Sequence, residues 1–201
     1  MPRKEESYYE EISQYLSQTI ADQLKGYGDF SVCFKPLGTT DLKRELLGII
    51  REMEIDDPNL RLRAELCTGL RVDVAGVVYS LSSCRSVLII VEVKTRSLTL
   101  TDLSQLAGYC IYSWAEYGIL IGAKCRLTKG FQAMLTRRPE VLNITSQKGR
   151  ERQDHQFALC SWYPKSHSPL RFGGFHNQPR DIASLCRMIA ARTSAGGRKG
   201  I

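Results

Sequence analysis

Two residues of opposite charge close an apolar run: Glu92-Val93-Lys94 follows directly on Val87-Leu88-Ile89-Ile90-Val91. In an extended strand alternate side chains share a face, so Glu92 and Lys94 project together. The unbroken apolar stretch before them fits a strand covered on both faces. A carboxylate and an ammonium at the end of such a strand are costly unless they are partnered or put to use. A second β-rich stretch, Leu70 to Tyr79, carries Asp73 between Val72 and Val74. If the two stretches pair through a turn around Leu81–Arg85, Asp73 comes to lie beside Glu92 and Lys94. Two carboxylates and a lysine at one strand edge suit a hard divalent cation and a phosphate, because carboxylate oxygens bind the cation and the ammonium offsets the anion. The plainer alternative is a cross-strand ion pair on a sheet edge, with Asp73 bonded into a turn.

Hydrophobic spacing predicts the elements that must position these groups. A helix over residues 5–25 places Tyr8, Ile12, Tyr15, Leu16 and Ile20 on one stripe and ends at Gly26-Tyr27-Gly28. Phe30–Phe34 reads as a strand, and Thr40-Asp41 caps a helix from Leu42 to about Met53. Asp56-Asp57-Pro58-Asn59 breaks the chain, so 26–64 reads as an insertion between the first helix and the two strands. Further on, a helix is expected from Thr101-Asp102 to about Glu116, then a buried strand Tyr117–Ala123 and a helix from Leu127 to about Arg137, stopped by Pro139. Strands are expected at Val141–Thr145 and Phe157–Tyr163, with polar chain at Gln147–Gln153 and loop over Pro164–Pro179. Ile182–Ala191 reads as a closing helix, and 194–201 as a flexible basic tail. The strand–helix–strand path from Val87 to Ala123 predicts an α/β fold, a mixed central β-sheet flanked by helices, in a single domain spanning 1–201.

An acid on one strand followed by E-x-K on the next resembles the PD-(D/E)xK nuclease superfamily, through Asp73, Glu92 and Lys94. Val72 stands where that family often has proline. The resemblance implies a restriction endonuclease-like core and hydrolysis of DNA phosphodiester bonds with Mg2+, or with Mn2+ in its place. It implies Asp73, Glu92 and the main-chain carbonyl of Val93 as metal ligands, and Lys94 orienting the attacking water. Gln105 and Tyr109 lie four apart on the next helix and resemble the Q-x-x-x-Y element of RecB-type nucleases. That likeness implies Gln105 facing the active site and Tyr109 holding DNA or positioning the glutamine; a surface glutamine and a core tyrosine are the alternative. Glu5, on one helical face with Tyr8, Ile12 and Leu16, is similar in spacing to the N-terminal acid of archaeal Holliday-junction resolvases. Its alternative is an acid favourably placed in the first helical turn. Arg71 and Arg96 are the best-placed phosphate contacts. The endonuclease members imply a homodimer, and the rival from another class is a non-catalytic DNA-binding or assembly protein that keeps the fold.

Composition sets the outer limits. The chain has 201 residues, 43% hydrophobic and 24% charged, enough for a substantial core, and its net charge of +7 favours a polyanionic partner. Arg137, Arg138, Lys148, Arg150, Arg152, Arg198 and Lys199 could extend a basic surface, although charge runs are commonly solvated faces. No apolar run is long enough to span a bilayer, and the expectation is a cytoplasmic protein without a membrane partner. Seven cysteines stand singly with no C-x-x-C pair, and His155, Cys160, His167 and His176 are irregularly spaced, so no zinc site is indicated. No glycine-rich phosphate loop is present, and no nucleotide cofactor is expected.

Overall fold

Residues 5–123, 126–148, 151–175 and 178–194 are described by a computed structural model. Its centre is the hairpin of β2 (Val74–Ser80) and β3 (Arg85–Lys94), antiparallel and joined through Leu81–Cys84. Cys84 adopts a left-handed conformation (φ 51°) to close that turn. Every residue of β2 is buried, as is β3 from Val87 to Val93, as the continuous apolar runs require.

The hairpin extends on both sides. β1 (Phe30–Pro36) lies antiparallel to β2 on the outer edge. On the other side α4 (Leu100–Ser113) crosses over to β4 (Tyr117–Ala123), which runs parallel to β3. β6 (Glu151–Trp162) is parallel to β4, and its far edge carries β5 (Asn143–Lys148) and the short β7 (Leu170–Phe172), both antiparallel. The result is a mixed seven-stranded sheet in the order β1-β2-β3-β4-β6-β5, with β7 against the end of β6. Helices cover both faces, so the α/β class with a mixed, helix-flanked sheet is the observed one.

Period-two alternation divides the core. Leu88 and Ile90 point to the face covered by α2 (Leu42–Glu52), α3 (Pro58–Leu66), α4 and α5 (Lys129–Arg137). Val87, Ile89, Val91 and Val93 point to the opposite face, under α1 (Tyr9–Leu24) and α6 (Ile182–Ser194). Among the described residues no helix is long and apolar enough to cross a membrane.

Segment 26–64 is built into these layers. It supplies the edge strand β1 and two helices on one face of the sheet. β1 sits close: a Cβ on Gly76 would overlap the ring of Phe34, so the ring lies directly over the β2 backbone. The expected break at 56–59 is a helix start instead. Asp57 accepts hydrogen bonds from the amides of Asn59 (3.0 Å) and Leu60 (3.3 Å), Pro58 occupies the first helical position, and α3 follows. The second oxygen of Asp57 accepts from the Ser86 amide (2.7 Å) and ties that cap to β3.

Two further boundaries differ from expectation. The first turn, Glu5–Tyr8, is a 3₁₀ helix before α1 begins. The polar stretch around 147–153 belongs largely to a β5–β6 hairpin, in which cross-strand pairing outweighs the lack of apolar residues. Of the proposed tail, residues 195–201 lie outside the described residues, as do Arg150, Cys125 and His176.

The hairpin buries His155. Its Nδ1 lies 2.6 Å from the Ala115 carbonyl, which can only accept, so Nδ1 carries the proton. In the neutral ring Nε2, 2.7 Å from Ser146 Oγ, accepts from that hydroxyl. Burial pushes the imidazole pKa down. A folded-state pKa below the unfolded one gives stability that is present above the unfolded value, about 6.5, and lost as pH falls through the folded value. Urea unfolding should therefore show stability falling below pH ~6, by at most about 1.4 kcal/mol per pH unit from this group. His155→Gln, uncharged throughout, should flatten that part of the profile; an unchanged profile would mean His155 does not carry the effect.

Candidate functional site

The strand register assembles the site. Val74 of β2 is opposite Val91 of β3 in an antiparallel pair, so Asp73, one residue outside β2, comes opposite Glu92. Both share the face of Ala75 and Ile90, the one that α4 covers. Lys94, two residues after Glu92, is on that face as well.

Asp73 is fixed at two points. Its carbonyl accepts from the Leu37 amide (2.9 Å), continuing the β1–β2 ladder past its end. Its Oδ2 accepts from the Val93 amide (2.7 Å), and the Tyr9 side chain lies near enough to its carboxylate to favour the charged form. Lys94 Nζ donates to Glu92 Oε1 (2.6 Å) and lies 3.6 Å from Glu5 Oε1. The 3₁₀ turn thus brings its acid to the end of β3.

These groups line one cleft of about 750 Å³, together with Glu6, Tyr9, Arg71, Gln105 and Tyr109. Gln105 Nε2 donates to the Tyr109 hydroxyl at 2.7 Å, so the two residues on α4 form a unit at the cleft wall. Arg96 is not among the lining residues. It makes a two-pronged bond to Asp102 (2.6 and 3.0 Å), while Asp102 forms a capping box with Thr99 at the start of α4. Arg71 is exposed and does line the cleft, and Val93 is tied in through its amide.

The cleft holds more acid than base. Glu5, Glu6, Asp73 and Glu92 face Arg71 and Lys94, four against two, an excess of two negative charges if all are ionised. Glu92 is only 2% exposed, and its Oε2 has no hydrogen-bond partner among the described residues. Burial, with the neighbouring Asp73 charge, lifts the Glu92 carboxyl to about 7, against the opposing pull of Lys94. Burial also raises Asp73 and Glu5, although Val93, Tyr9 and Lys94 oppose it at Asp73 and Lys94 opposes it at Glu5. For Lys94 burial pulls downward, but its bond to Glu92 and the surrounding acids outweigh this and hold its pKa above the ordinary value.

Such a site is short of positive charge at a buried oxygen. Asp73 and Glu92 are hard oxygen donors on adjacent strands, and the orphaned Glu92 Oε2 is where a cation would be most stabilising. Among the described residues no three His, Cys, Asp or Glu side chains form a ready-made metal cage. The donor set is therefore sparse, which fits magnesium, an ion that keeps several waters and takes one or two carboxylates.

Tyr9 is the contact that sequence reasoning passes over. Tyr8 and Tyr9 both pack into the core beneath α1, and the signal was there in principle: a buried tyrosine hydroxyl needs a partner. Glu6 also reaches the cleft, as an exposed rim acid. Glu10, by contrast, is exposed and accepts from Gln14 on the helix surface.

Comparison of the chain with protein-family models, with curated proteins and with solved structures gives no match.

The Glu92 pKa carries a stability consequence. A carboxyl raised from about 4.5 unfolded to about 7 folded costs nothing below the unfolded value, destabilises progressively between the two values, and reaches its full cost once pH has risen through 7. In chelator, Glu92→Gln should therefore gain on the wild type by roughly 2–3 kcal/mol between pH 5 and pH 8. Urea midpoints at the two pH values measure this, and an identical difference at both would show that Glu92 does not resist ionisation.

Proposed function

We propose that the protein is a metal-dependent DNA nuclease of the PD-(D/E)xK type, hydrolysing phosphodiester bonds, with endonuclease action favoured. The observation that carries this reading is the convergence of Asp73, Glu92 and Lys94 at one strand end, with the Glu92 carboxyl buried and one oxygen unpartnered. The order acid, then E-x-K, on two adjacent antiparallel strands supports it, as do the Gln105–Tyr109 pair and Glu5 at the cleft.

In this reading Asp73 and Glu92, with the Val93 carbonyl, hold Mg2+ or Mn2+. When bound, the ion lowers the pKa of a coordinated water and offsets charge developing on the phosphate. Lys94 is held at the cleft by Glu92, where its ammonium can donate to a phosphate oxygen or align the attacking water. Tyr9 keeps the Asp73 carboxylate oriented toward the cleft, and Arg71 meets the backbone of the bound strand at the rim. The net charge of +7 supports a polyanionic substrate. Cutting both strands of a duplex needs two such sites, so a homodimer belongs to the same proposal.

A second reading is a DNA-binding or assembly protein that does not cleave, in which the same carboxylates persist as structure and Lys94 serves Glu92 as an ion-pair partner. One experiment separates the two. Supercoiled, linear and branched DNA are incubated with the wild type, Asp73→Ala and Lys94→Ala, with Mg2+ or Mn2+. Cleavage that falls at least roughly a hundredfold in both variants is expected. Equal cleavage by all three proteins would place the activity elsewhere, and binding without cleavage under either metal would favour the second reading.

A further inference from the structure

A second recess opens at the same end of the sheet as the carboxylate cleft. Its volume is about 540 Å³, and it lies beyond the segment that follows Lys94. That segment runs beside the start of α5: Leu98 pairs with Leu127, its amide donating to Arg126 and its carbonyl accepting from Thr128. From Lys94 to Leu98 the chain spans at most about 14 Å. The two recesses are therefore neighbours across one short stretch of backbone.

The lining of the second recess differs in kind. Leu98, Leu127 and Leu159 line it with the aromatic residues Tyr163 and Phe175, alongside Gln132 and Ser161. Arg126 and Lys129 stand exposed at the rim, and neither forms an ion pair among the described residues. Arg171, which does not line the recess, packs its guanidinium 5.0 Å from the centre of the Tyr163 ring, so one face of that ring already carries a cation. Tyr163 remains 37% exposed although its ring is large and mostly apolar. Where the carboxylate cleft has an excess of acid, this recess has none among its lining residues.

An aromatic wall with a cationic rim is the combination that holds an unpaired nucleobase and its phosphate: the ring stacks on the base and the cations meet the backbone. A base within a duplex is already stacked on both sides and cannot enter a recess of this kind without leaving its partner. We propose that this recess binds an unpaired nucleotide next to the scissile phosphate, so that the substrate carries a single-stranded segment. The proposal rests on the nuclease reading for its nucleic-acid ligand, and it names the substrate class.

The test measures binding and cleavage separately with the full chain. Fluorescence anisotropy in chelator compares a single-stranded oligothymidylate with a blunt duplex of equal length. Tyr163→Ala is expected to weaken single-strand binding by about fivefold to a hundredfold, the range for loss of one stacked base. Tyr163→Phe keeps the ring and should bind as the wild type does, which guards against misreading a folding defect. Arg126→Ala with Lys129→Ala should weaken the same binding and reduce its salt dependence. Blunt-duplex binding should change less than single-strand binding in each variant. Equal losses on both ligands, no loss on either, or wild-type preference for the blunt duplex would overturn the proposal. Cleavage assays with Mg2+ tell the two failures apart. Cleavage that needs Asp73 but ignores Tyr163 sinks the nucleotide recess alone, whereas Tyr163-dependent binding without any Asp73-dependent cleavage sinks the nuclease reading alone.

Discussion

The antiparallel register of β2 and β3 is the constraint on which the rest depends. With Val74 opposite Val91, the two acids fall opposite one another, and the Val93 amide meets the Asp73 carboxylate. A slip of one residue would send Asp73 to the face under α1 and α6 and leave Glu92 with Lys94 alone. Nothing in the acids themselves prevents this. The register is enforced by the apolar side chains, since a slip would exchange the residues packed under α4 with those packed under α1. The site is thus a by-product of a core that packs in only one register.

Burial then gives the cleft its character. Glu92 is almost wholly buried, and one of its oxygens is left without a hydrogen-bond partner among the described residues. Lys94 compensates only part of the acid charge, because Glu5 also draws on it. A surface cluster with the same residues would be solvated and unremarkable in its energetics. Here desolvation and the neighbouring Asp73 charge lift the Glu92 carboxyl to about 7, so its ionised form is costly where it stands.

Much of this was legible in the chain. Val87–Val93 announces a doubly covered strand, and E-x-K at its end fixes the face of two side chains before any tertiary knowledge. Asp73 could be placed by assuming the hairpin, and Gln105 with Tyr109 by helical spacing. What could not be read depends on long-range partners. α3 begins at Pro58, where Asp-Asp-Pro-Asn looks like an interruption, and only the Asp57 side chain bonding Asn59 and Leu60 reveals a helix start. The β5–β6 hairpin has a polar first half held by cross-strand pairing, with little apolar alternation to announce it. Tyr9 falls off the stripe that Tyr8 and Ile12 announce, and the acid it acts on lies more than sixty residues away in the chain. Arg96 looked free, because the acid that holds it belongs to a helix cap expected two residues later.

The ring of Phe34 resting on Gly76 gives the edge strand an influence out of proportion to its position. β1 can lie flush on its neighbour only because residue 76 has no side chain, and the end of that strand passes the Leu37 amide to the carbonyl of Asp73. A single methyl group at 76 would therefore act as a wedge, prising the border of the sheet outward and tugging the backbone of an acid three positions away. The periphery and the centre form one mechanical piece, and genetic drift in the outermost strand is answerable to the geometry of the cleft.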